Sequence, residues 1–539
     1  MPADGTGPVD PARLQPWLDR IAAMTRAVRL RDLDMQLGRR PTWDTGAPLT
    51  LADLAAIRQL DRSRAGDRLY FQAVDHFLRV RVEPLQAMLT SWMKGARAQV
   101  NGEEIPFNQV ITWCQDTADH QARRLLTREV RTLCRFLAPL SHATWQGLLA
   151  LVEEELGYAG YLEFCEQKRG VRLEDAAALA TAFLEAGREQ HLRRVDALLR
   201  EVTGIELGQA SRFDAIYLLG LRYLDRCFPR SLRVDDILAF FEKTGFDRIR
   251  SPALTIHHQG RPGRQSYCMP VAVPGEIHIV LGPLQGWLDL EALCHELGHA
   301  LSFLYTDEGL SPLQTDFFPS SGLSEAFAFL FQKMAMSGEF LEEIIGLDSD
   351  DAAAVATVHQ VKWVTLARRY AAKMVIEFEN FRQRRLRNGE PFYARTMQRE
   401  TGFHYDPETY LFDLMPDFYT LDYFQGFLAA AILDDRLRDA AGSRWYRHPA
   451  AVALLTSWWR QGNRRDLVSF LNRELDRPLA MAPFLDMARQ AQGTGTLPAD
   501  AAGPAKGGKR DKKREAAPGA ASLSPAAGDT RRHKPSGGR

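Results

Sequence analysis

The segment Leu288-Asp-Leu-Glu-Ala-Leu-Cys-His-Glu-Leu-Gly-His-Ala-Leu-Ser-Phe-Leu304 decides the fold of this protein, because it combines a helical apolar pattern with a chemical motif. At about 100° per residue, one face of a helix collects the apolar residues Leu290, Leu293, Cys294, Leu297, Leu301 and Leu304. His295, Glu296 and His299 project from the opposite face. The segment therefore predicts a helix that buries its leucines and presents an HExxH motif on its other side.

The HExxH motif supplies the side chains that a zinc site with a general base requires. Residues four apart lie about 6 Å apart along one side of a helix, so two imidazoles converge on one ion at about 2 Å from each nitrogen. A carboxylate beside the ion's open position can accept a proton from an attacking water molecule. His295 and His299 are therefore candidate ligands, and Glu296 is the candidate base. The alternative is that all three form the solvated face of the helix.

A third ligand is expected from a helix further along the chain. The segment Gly322-Leu-Ser-Glu-Ala-Phe-Ala-Phe-Leu-Phe-Gln332 is apolar almost all round, which is typical of a buried helix. A buried carboxylate without a partner is costly, so Glu325 requires a cation. A metal ion held by His295 and His299 would supply that charge. A salt bridge from Glu325 to an arginine is the alternative.

The chain around the motif divides into three parts with different patterns. Successive amphipathic helices are predicted from about Pro11 to Phe246, and helical patterns return from Asp289 to about Gln490. Residues 493–539 are rich in Ala, Gly, Pro, Ser and Lys and cannot form a core. We therefore predict a helical N-terminal half at 1–250, a region carrying the motif at 251–492 and a disordered basic tail at 493–539.

Two short β-rich segments lie just before the motif, Ala253–His258 and Glu276–Leu281. In the second segment, apolar Ile277, Ile279 and Leu281 alternate with the residues between them, which predicts a strand with one covered face. If this strand forms a sheet edge over the metal, an extended peptide could pair with it through main-chain hydrogen bonds. Peptide recognition would then depend only loosely on sequence.

Composition excludes several classes of protein. The 539 residues are 45% hydrophobic and 25% charged, which is typical of a globular protein. The 68 basic residues balance the 68 acidic residues, so we expect no specific nucleic-acid partner. The six cysteines form no CxxC pair, and the chain shows neither a secretory signal nor a membrane span. We therefore expect a cytoplasmic protein without membrane contact, and we assign no partner to the basic tail.

From about Ser251 to Leu485, the sequence resembles the thimet oligopeptidase and oligopeptidase F family of zinc peptidases. The resemblance is carried by the HExxH motif, by Ser324-Glu-Ala326 and by the segments Tyr267-Cys-Met-Pro-Val-Ala-Val-Pro-Gly-Glu276 and Gly282-Pro-Leu-Gln-Gly-Trp-Leu-Asp289. It implies that His295, His299 and Glu325 bind one Zn²⁺ per chain and that Glu296 is the general base. It also implies a mostly α fold, in which two helical halves enclose a deep substrate channel and a small β-sheet lies beside the HExxH helix.

The segment Met415-Pro-Asp-Phe-Tyr-Thr-Leu-Asp-Tyr-Phe-Gln-Gly-Phe427 departs from the family pattern. The family has a histidine where this chain has Asp417, and tyrosines where it has Gln425 and Phe427. Tyr419 and Tyr423 remain as candidate catalytic donors, with structural roles as their alternative, and Asp417 could cap the following helix. Gln332 is a milder departure, since the family often has a glutamate there that contacts a ligand.

Three functions are consistent with these features. The first is a zinc-dependent oligoendopeptidase that hydrolyses internal bonds of short peptides, with Tyr423 donating to the oxyanion. The second is a metal-binding relative with weak or no activity that captures peptides, which Asp417, Gln425 and Phe427 favour. The third is an exopeptidase with the same zinc ligands.

Overall fold

The computed structural model describes residues 11–40, 42–43, 46–60, 64–259, 266–317 and 320–490. The fold is mostly helical with a small β-sheet, as the sequence predicts. The predicted tail at 493–539 lies outside the described residues. Within the described part of the chain, no helix combines the length and apolar composition that a bilayer span requires.

The predicted N-terminal half consists mainly of helices. Its helices are α1 (Pro11–Gln36), α2 (Leu51–Leu60), α3 (Arg64–Gly95), α4 (Val110–Asp116), α5 (His120–Ala150), α6 (Tyr161–Arg169), α7 (Leu173–Glu185), α8 (Arg188–Thr203), α9 (Arg212–Leu219) and α10 (Val234–Lys243). Strands β1 (Arg97–Val100) and β2 (Glu103–Pro106) form an antiparallel hairpin between α3 and α4. The sequence analysis did not predict this hairpin, which interrupts the succession of helices. Asn101 and Gly102 both have positive φ, as a tight hairpin turn requires.

The remaining elements contain the candidate site. The helices are α11 (Trp287–Leu304), α12 (Pro312–Thr315), α13 (Gly322–Ala335), α14 (Gly338–Phe340), α15 (Ser349–Arg382), α16 (Glu390–Thr401), α17 (Tyr410–Asp413), α18 (Tyr419–Ala441), α19 (Pro449–Trp459), α20 (Leu467–Phe470) and α21 (Ala482–Gln490). The strands that precede them are β3 (Leu254–His258), β4 (Tyr267–Ala272) and β5 (Glu276–Leu281).

The three strands form one sheet in the order β3-β5-β4. Strand β5 pairs in parallel with β3, where Leu254 faces Ile277, and antiparallel with β4, where Tyr267 faces Val280. The condition set for peptide pairing, that Glu276–Leu281 forms a sheet edge, is therefore not met, because this strand is central. Strand β4, which the sequence analysis did not predict, is an edge strand and lies beside α11.

Helix α1 covers one end of the second face of β5. Val280 is buried in a small cluster with Leu30 and Leu33 of α1, whereas Glu276 and His278 on the same face stay partly exposed. The Arg29 guanidinium donates a hydrogen bond to the Pro270 carbonyl oxygen of β4 at 2.8 Å. The predicted alternation therefore holds except at Val280, which a helix distant in sequence buries.

One connected apolar core includes residues from Leu18 to Phe484 and therefore from both predicted regions of the chain. Helices α11, α13, α15 and α18 lie at its centre and pack on one another. These are the helices that carry the candidate site residues. The functional division of the chain near residue 250 stays a prediction.

Helices α11 and α13 approach each other most closely at Gly298, inside the HExxH motif. A Cβ atom on Gly298 would lie 2.7 Å from the Ala328 Cα atom and 2.8 Å from the Phe327 carbonyl oxygen. Because both neighbours are backbone atoms, neither can yield without moving a helix.

We expect Gly298→Ala to lower the free energy of unfolding by about 1–3 kcal/mol through overpacking. Urea denaturation would measure the loss. Gly338→Ala is the matched control, since an added Cβ there meets nothing within 4 Å. Equal stability of the two variants would contradict the close approach of α11 and α13.

Candidate metal centre

Helix α11 buries its leucine face and presents its histidines on the other side, as the sequence predicts. Leu290, Leu293, Leu297 and Leu301 are all buried in the core. On the other side, the His295 and His299 side chains keep 16% and 13% of their surface exposed. The two imidazoles are therefore fixed by a buried helix and remain within reach of solvent.

Helix α13 brings Glu325 to the two histidines. Glu325 Oε2 lies 3.7 Å from His295 Nε2 and 3.8 Å from His299 Nε2. The ligand atoms of the three side chains lie within 4.8 Å of one another, as atoms that share one metal ion do. The arginine partner considered as an alternative for Glu325 is not found among its contacts in the described structure. The three predicted ligands therefore converge.

Burial controls the charge of these groups. It lowers the pKa of His295 to about 4, and it lowers the pKa of His299 well below the ordinary value, with His295 adding to the effect. Burial also raises the pKa of Glu325 to about 8, with the Tyr419 hydroxyl opposing the rise. Glu325 Oε2 is a buried acceptor that has no hydrogen-bond partner. Neutral imidazoles beside an unsatisfied carboxylate oxygen fit a divalent cation such as zinc.

Each imidazole is oriented through its other nitrogen. His299 Nδ1 hydrogen-bonds to Ser324 Oγ at 2.7 Å, and His295 Nδ1 donates to Gln332 Oε1 at 2.8 Å. Both Nε2 atoms therefore remain directed at Glu325. Gln332 Nε2 in turn donates to Glu291 Oε1 at 2.6 Å. The Glu291 carboxylate is therefore linked to His295 through the side chain of Gln332.

Glu291 is itself held in a buried charged group. Burial alone would raise its pKa, but Lys362 and His359 overcome that effect and hold the pKa well below its ordinary value. His359 Nε2 lies 3.2 Å from Glu291 Oε1, and the Lys362 ammonium pairs with Oε2. Because Glu291 stays ionised, it polarises Gln332 and so strengthens the hydrogen bond to His295.

We expect Gln332→Leu to weaken zinc binding by about 10- to 100-fold, because His295 loses the partner that orients it. Competition with a chromogenic chelator would measure the affinity. Gln360→Leu is the matched control, since the Gln360 side-chain nitrogen has no hydrogen-bond partner. Equal zinc affinity in both variants would show that Gln332 does not orient His295.

Glu296 lies between the candidate metal ligands and the sheet. It is only 7% exposed, and burial, with Glu325 as the second cause, raises its pKa to about 8. A hydrogen bond from the backbone of Cys268 in β4 opposes this rise. Glu296 therefore lies beside the ligand set without belonging to it, and it faces the edge strand.

Helix α18 crosses α13 at the candidate ligand. Gly426 allows this crossing, because a Cβ atom there would lie 3.0 Å from the Glu325 Cβ atom. The Tyr419 hydroxyl donates to Glu325 Oε1 at 2.6 Å. Tyr419 is thus engaged with the carboxylate of the candidate ligand Glu325.

Tyr423, one turn further along α18, differs from Tyr419. Its ring lies 5.1 Å from the Tyr419 ring, and its hydroxyl has no hydrogen-bond partner among the described residues. Burial raises its pKa, with Glu325 as the next cause and Glu296 among the others, so the hydroxyl keeps its proton at neutral pH. Of the two predicted donors, Tyr423 is therefore the one whose hydroxyl group is not already engaged in a hydrogen bond with a described residue.

The structure shows what Asp417, Phe427 and Gln425 contact. Asp417 pairs with Lys168 at 2.9 Å and makes no side-chain cap to α18. Phe427 is buried and stacks on Phe329 with ring centroids 4.0 Å apart. Gln425 is half-buried and has no hydrogen-bond partner within the described chain. These three residues carry no hydroxyl group, so the candidate hydroxyl donors near the centre are tyrosines.

Two further groups support the site, and the sequence analysis did not identify them. Tyr370 of α15 stacks on Tyr423 with centroids 4.6 Å apart. Asp422 accepts hydrogen bonds from Ser320 Oγ at 2.7 Å and from the Ser321 backbone N–H at 3.1 Å, at the start of α13. No local motif marks either residue, because both act through helices distant in sequence.

The fold and the centre together define a mostly helical protein with an HExxH helix, a glutamate on an adjacent helix and a small sheet beside them. Solved peptidase structures share this fold. PZ peptidase A with inhibitor 2 matches over 82% of this chain and 78% of its own, with a TM-score of 0.59 and 13% identity.

A second solved structure, an oligoendopeptidase F from Bacillus anthracis, matches over 82% of this chain and 77% of its own. Its TM-score is 0.57 and its identity 12%. Likeness at this identity establishes a shared fold. No protein-family model and no curated protein matches the sequence.

Proposed function

We propose that this chain is a zinc-dependent oligoendopeptidase that hydrolyses internal bonds of short peptides. The observation that carries the proposal is the convergence of His295, His299 and the unsatisfied oxygen of Glu325. Together these residues would hold one zinc ion per chain. When bound, zinc would polarise a peptide carbonyl group and lower the pKa of a water molecule in its open position.

The protein's own residues would perform the proton transfers. Glu296 accepts a proton from the attacking water on a carboxylate oxygen and later passes it to the nitrogen of the leaving amine. Tyr423 donates its hydroxyl proton in a hydrogen bond to the carbonyl oxygen as negative charge develops there. Tyr419 holds Glu325 in place through the hydrogen bond between them.

Strand β4 provides a surface for the substrate backbone. It has no strand partner on its outer side among the described residues. The Cys268 backbone N–H already donates a hydrogen bond to Glu296 and the Pro270 carbonyl oxygen accepts one from Arg29, so a peptide would pair with the other backbone groups of this strand. An extended peptide that pairs with β4 would therefore pass beside the candidate base. Main-chain pairing predicts weak dependence on the sequence of the peptide.

Metal analysis combined with mass-spectrometric mapping of cleavage sites in a peptide library of graded length tests the proposal. We expect one zinc ion per chain and cleavage at internal bonds of short peptides. Protein without stoichiometric metal would refute the proposal. Removal of one or two residues at a time from peptide ends would indicate an exopeptidase instead.

The second candidate is a metal-binding relative that captures peptides with little or no turnover. The observation that favours it is the absence of a hydroxyl at Phe427, whose ring fills the space between Phe329 and Trp363. Fully zinc-loaded protein that binds library peptides and cleaves none would support this alternative.

A further inference from the structure

The aromatic side chains beside Glu325 form one stacked group. The Phe427 ring stacks on Phe329 at 4.0 Å with an interplanar angle of 22°, and the Tyr370 ring lies 6.2 Å from Phe427 at 28°. Tyr370 also stacks on Tyr423, with centroids 4.6 Å apart and an interplanar angle of 15°. Tyr370 of α15 therefore packs against both Tyr423 and Phe427 of α18, and it adds a hydroxyl-bearing ring beside Phe427, which has no hydroxyl.

The Tyr370 hydroxyl is available as a donor. It has no hydrogen-bond partner in the described part of the protein, and the side chain is only half-buried. The Tyr419 hydroxyl, in contrast, donates its hydrogen bond to Glu325. Within this aromatic group, the hydroxyls without partners therefore belong to Tyr370 and Tyr423.

Burial keeps the Tyr370 hydroxyl protonated. It raises the pKa of Tyr370, Arg369 lowers the pKa, and Asp413 and Glu325 raise it again, so the hydroxyl stays neutral at neutral pH. The Arg369 guanidinium and the Lys373 ammonium lie 5.5 and 5.8 Å from the ring centre, and both pair with Asp413. The hydroxyl therefore carries a proton that it can donate.

We propose that Tyr370 is a second catalytic donor, which hydrogen-bonds together with Tyr423 to the carbonyl oxygen of the scissile peptide bond. It replaces, from a different helix, the hydroxyls that this chain lacks at Gln425 and Phe427. The inference rests on the proposed peptidase function and deepens it, because it assigns a residue that no motif predicts. The alternative is that Tyr370 only packs against Tyr423.

Tyr370→Phe separates these roles, because it keeps the ring and removes the hydroxyl. We expect kcat to fall by about 10- to 100-fold with KM and zinc content unchanged, since the lost bond forms mainly in the transition state. Tyr446→Phe is the matched control. Its hydroxyl is also unpartnered, and its ring packs on Phe240, Phe340 and Trp445 instead of on the rings beside Glu325.

A second measurement does not depend on turnover. A phosphinic peptide carries a tetrahedral, negatively charged group in place of the scissile bond, so it should bind Tyr370→Phe about 10- to 100-fold more weakly than wild type. Its affinity for Tyr446→Phe should match that of the wild type.

The outcomes distinguish this inference from the proposed function. If the wild-type protein cleaves peptides and Tyr370→Phe matches Tyr446→Phe in kcat and in phosphinic-peptide affinity, the role of Tyr370 is refuted and the peptidase remains. If the zinc-loaded wild type cleaves nothing but binds the phosphinic peptide through Tyr370, the endopeptidase is refuted and the donor role is supported. Absence of phosphinic-peptide binding by the zinc-loaded wild type would refute the donor role.

Discussion

Glu296→Gln is expected to bind zinc as the wild type does and to hydrolyse peptides about 10²- to 10⁴-fold more slowly. Glutamine has nearly the same shape, so the packing beside β4 is kept. Its amide cannot accept the proton of the attacking water. Glu296 lies outside the set formed by His295, His299 and Glu325, so zinc content should not change. Steady-state kinetics on a fluorogenic peptide and metal analysis of the same preparation would measure both effects.

Glu308→Gln provides the control for Glu296→Gln, since Glu308 is an exposed glutamate just beyond α11. It should leave the rate unchanged. An unchanged rate in Glu296→Gln would remove Glu296 from the mechanism. Loss of zinc in Glu296→Gln would instead place Glu296 among the ligands.

Arg169→Met is expected to lower the free energy of unfolding by about 3–5 kcal/mol, because it leaves the partner of a buried ion pair uncompensated. Arg169 of α6 pairs with Asp422 of α18, and their side chains are 2% and 1% exposed. Arg169 also donates to the Asp417 carbonyl oxygen at 2.9 Å. Urea denaturation followed by circular dichroism would measure the loss.

The same variant should weaken zinc binding, because Asp422 also holds Ser320 and Ser321 at the start of the helix that carries Glu325. Arg172→Met is the matched control. Arg172 pairs with Glu174 at 2.9 Å, but both side chains are about 70% exposed, so this change should cost at most about 1 kcal/mol. A similar loss in the two variants would mean that the Arg169–Asp422 pair contributes no more than a surface pair.

The convergence of the three candidate ligands was predictable because its signals are local or nearly so. The spacing of His295 and His299 follows from the helical repeat, and the leucines on the opposite face orient the helix without knowledge of its neighbours. Glu325 was identified as a candidate ligand because a buried carboxylate in an apolar helix requires a cation. The structure brings these three side chains together.

The strand order was not predictable in the same way. Alternation in Glu276–Leu281 identifies a strand, but it does not reveal whether another strand pairs on each side. The segment Tyr267–Ala272 contains Pro270, which weakens the strand signal in its sequence. In the structure, its pairing with β5 shifts register between Pro270 and Ala272. The sequence therefore identified the strand Glu276–Leu281 without revealing its central position.

The amino-acid pattern alone specifies the chemical groups available to this protein: two imidazoles, a candidate base beside them and a buried carboxylate, placed on mostly helical segments. Periodicity and residue type are enough for this prediction, since each segment is recognised within a few helical turns. Long-range packing, in contrast, sets which groups contact the centre, namely Glu291 behind Gln332, Tyr419 on Glu325 and Tyr370 beside Tyr423. Each of these contacts joins helices that are separated along the chain, and close packing of the core sets their partners.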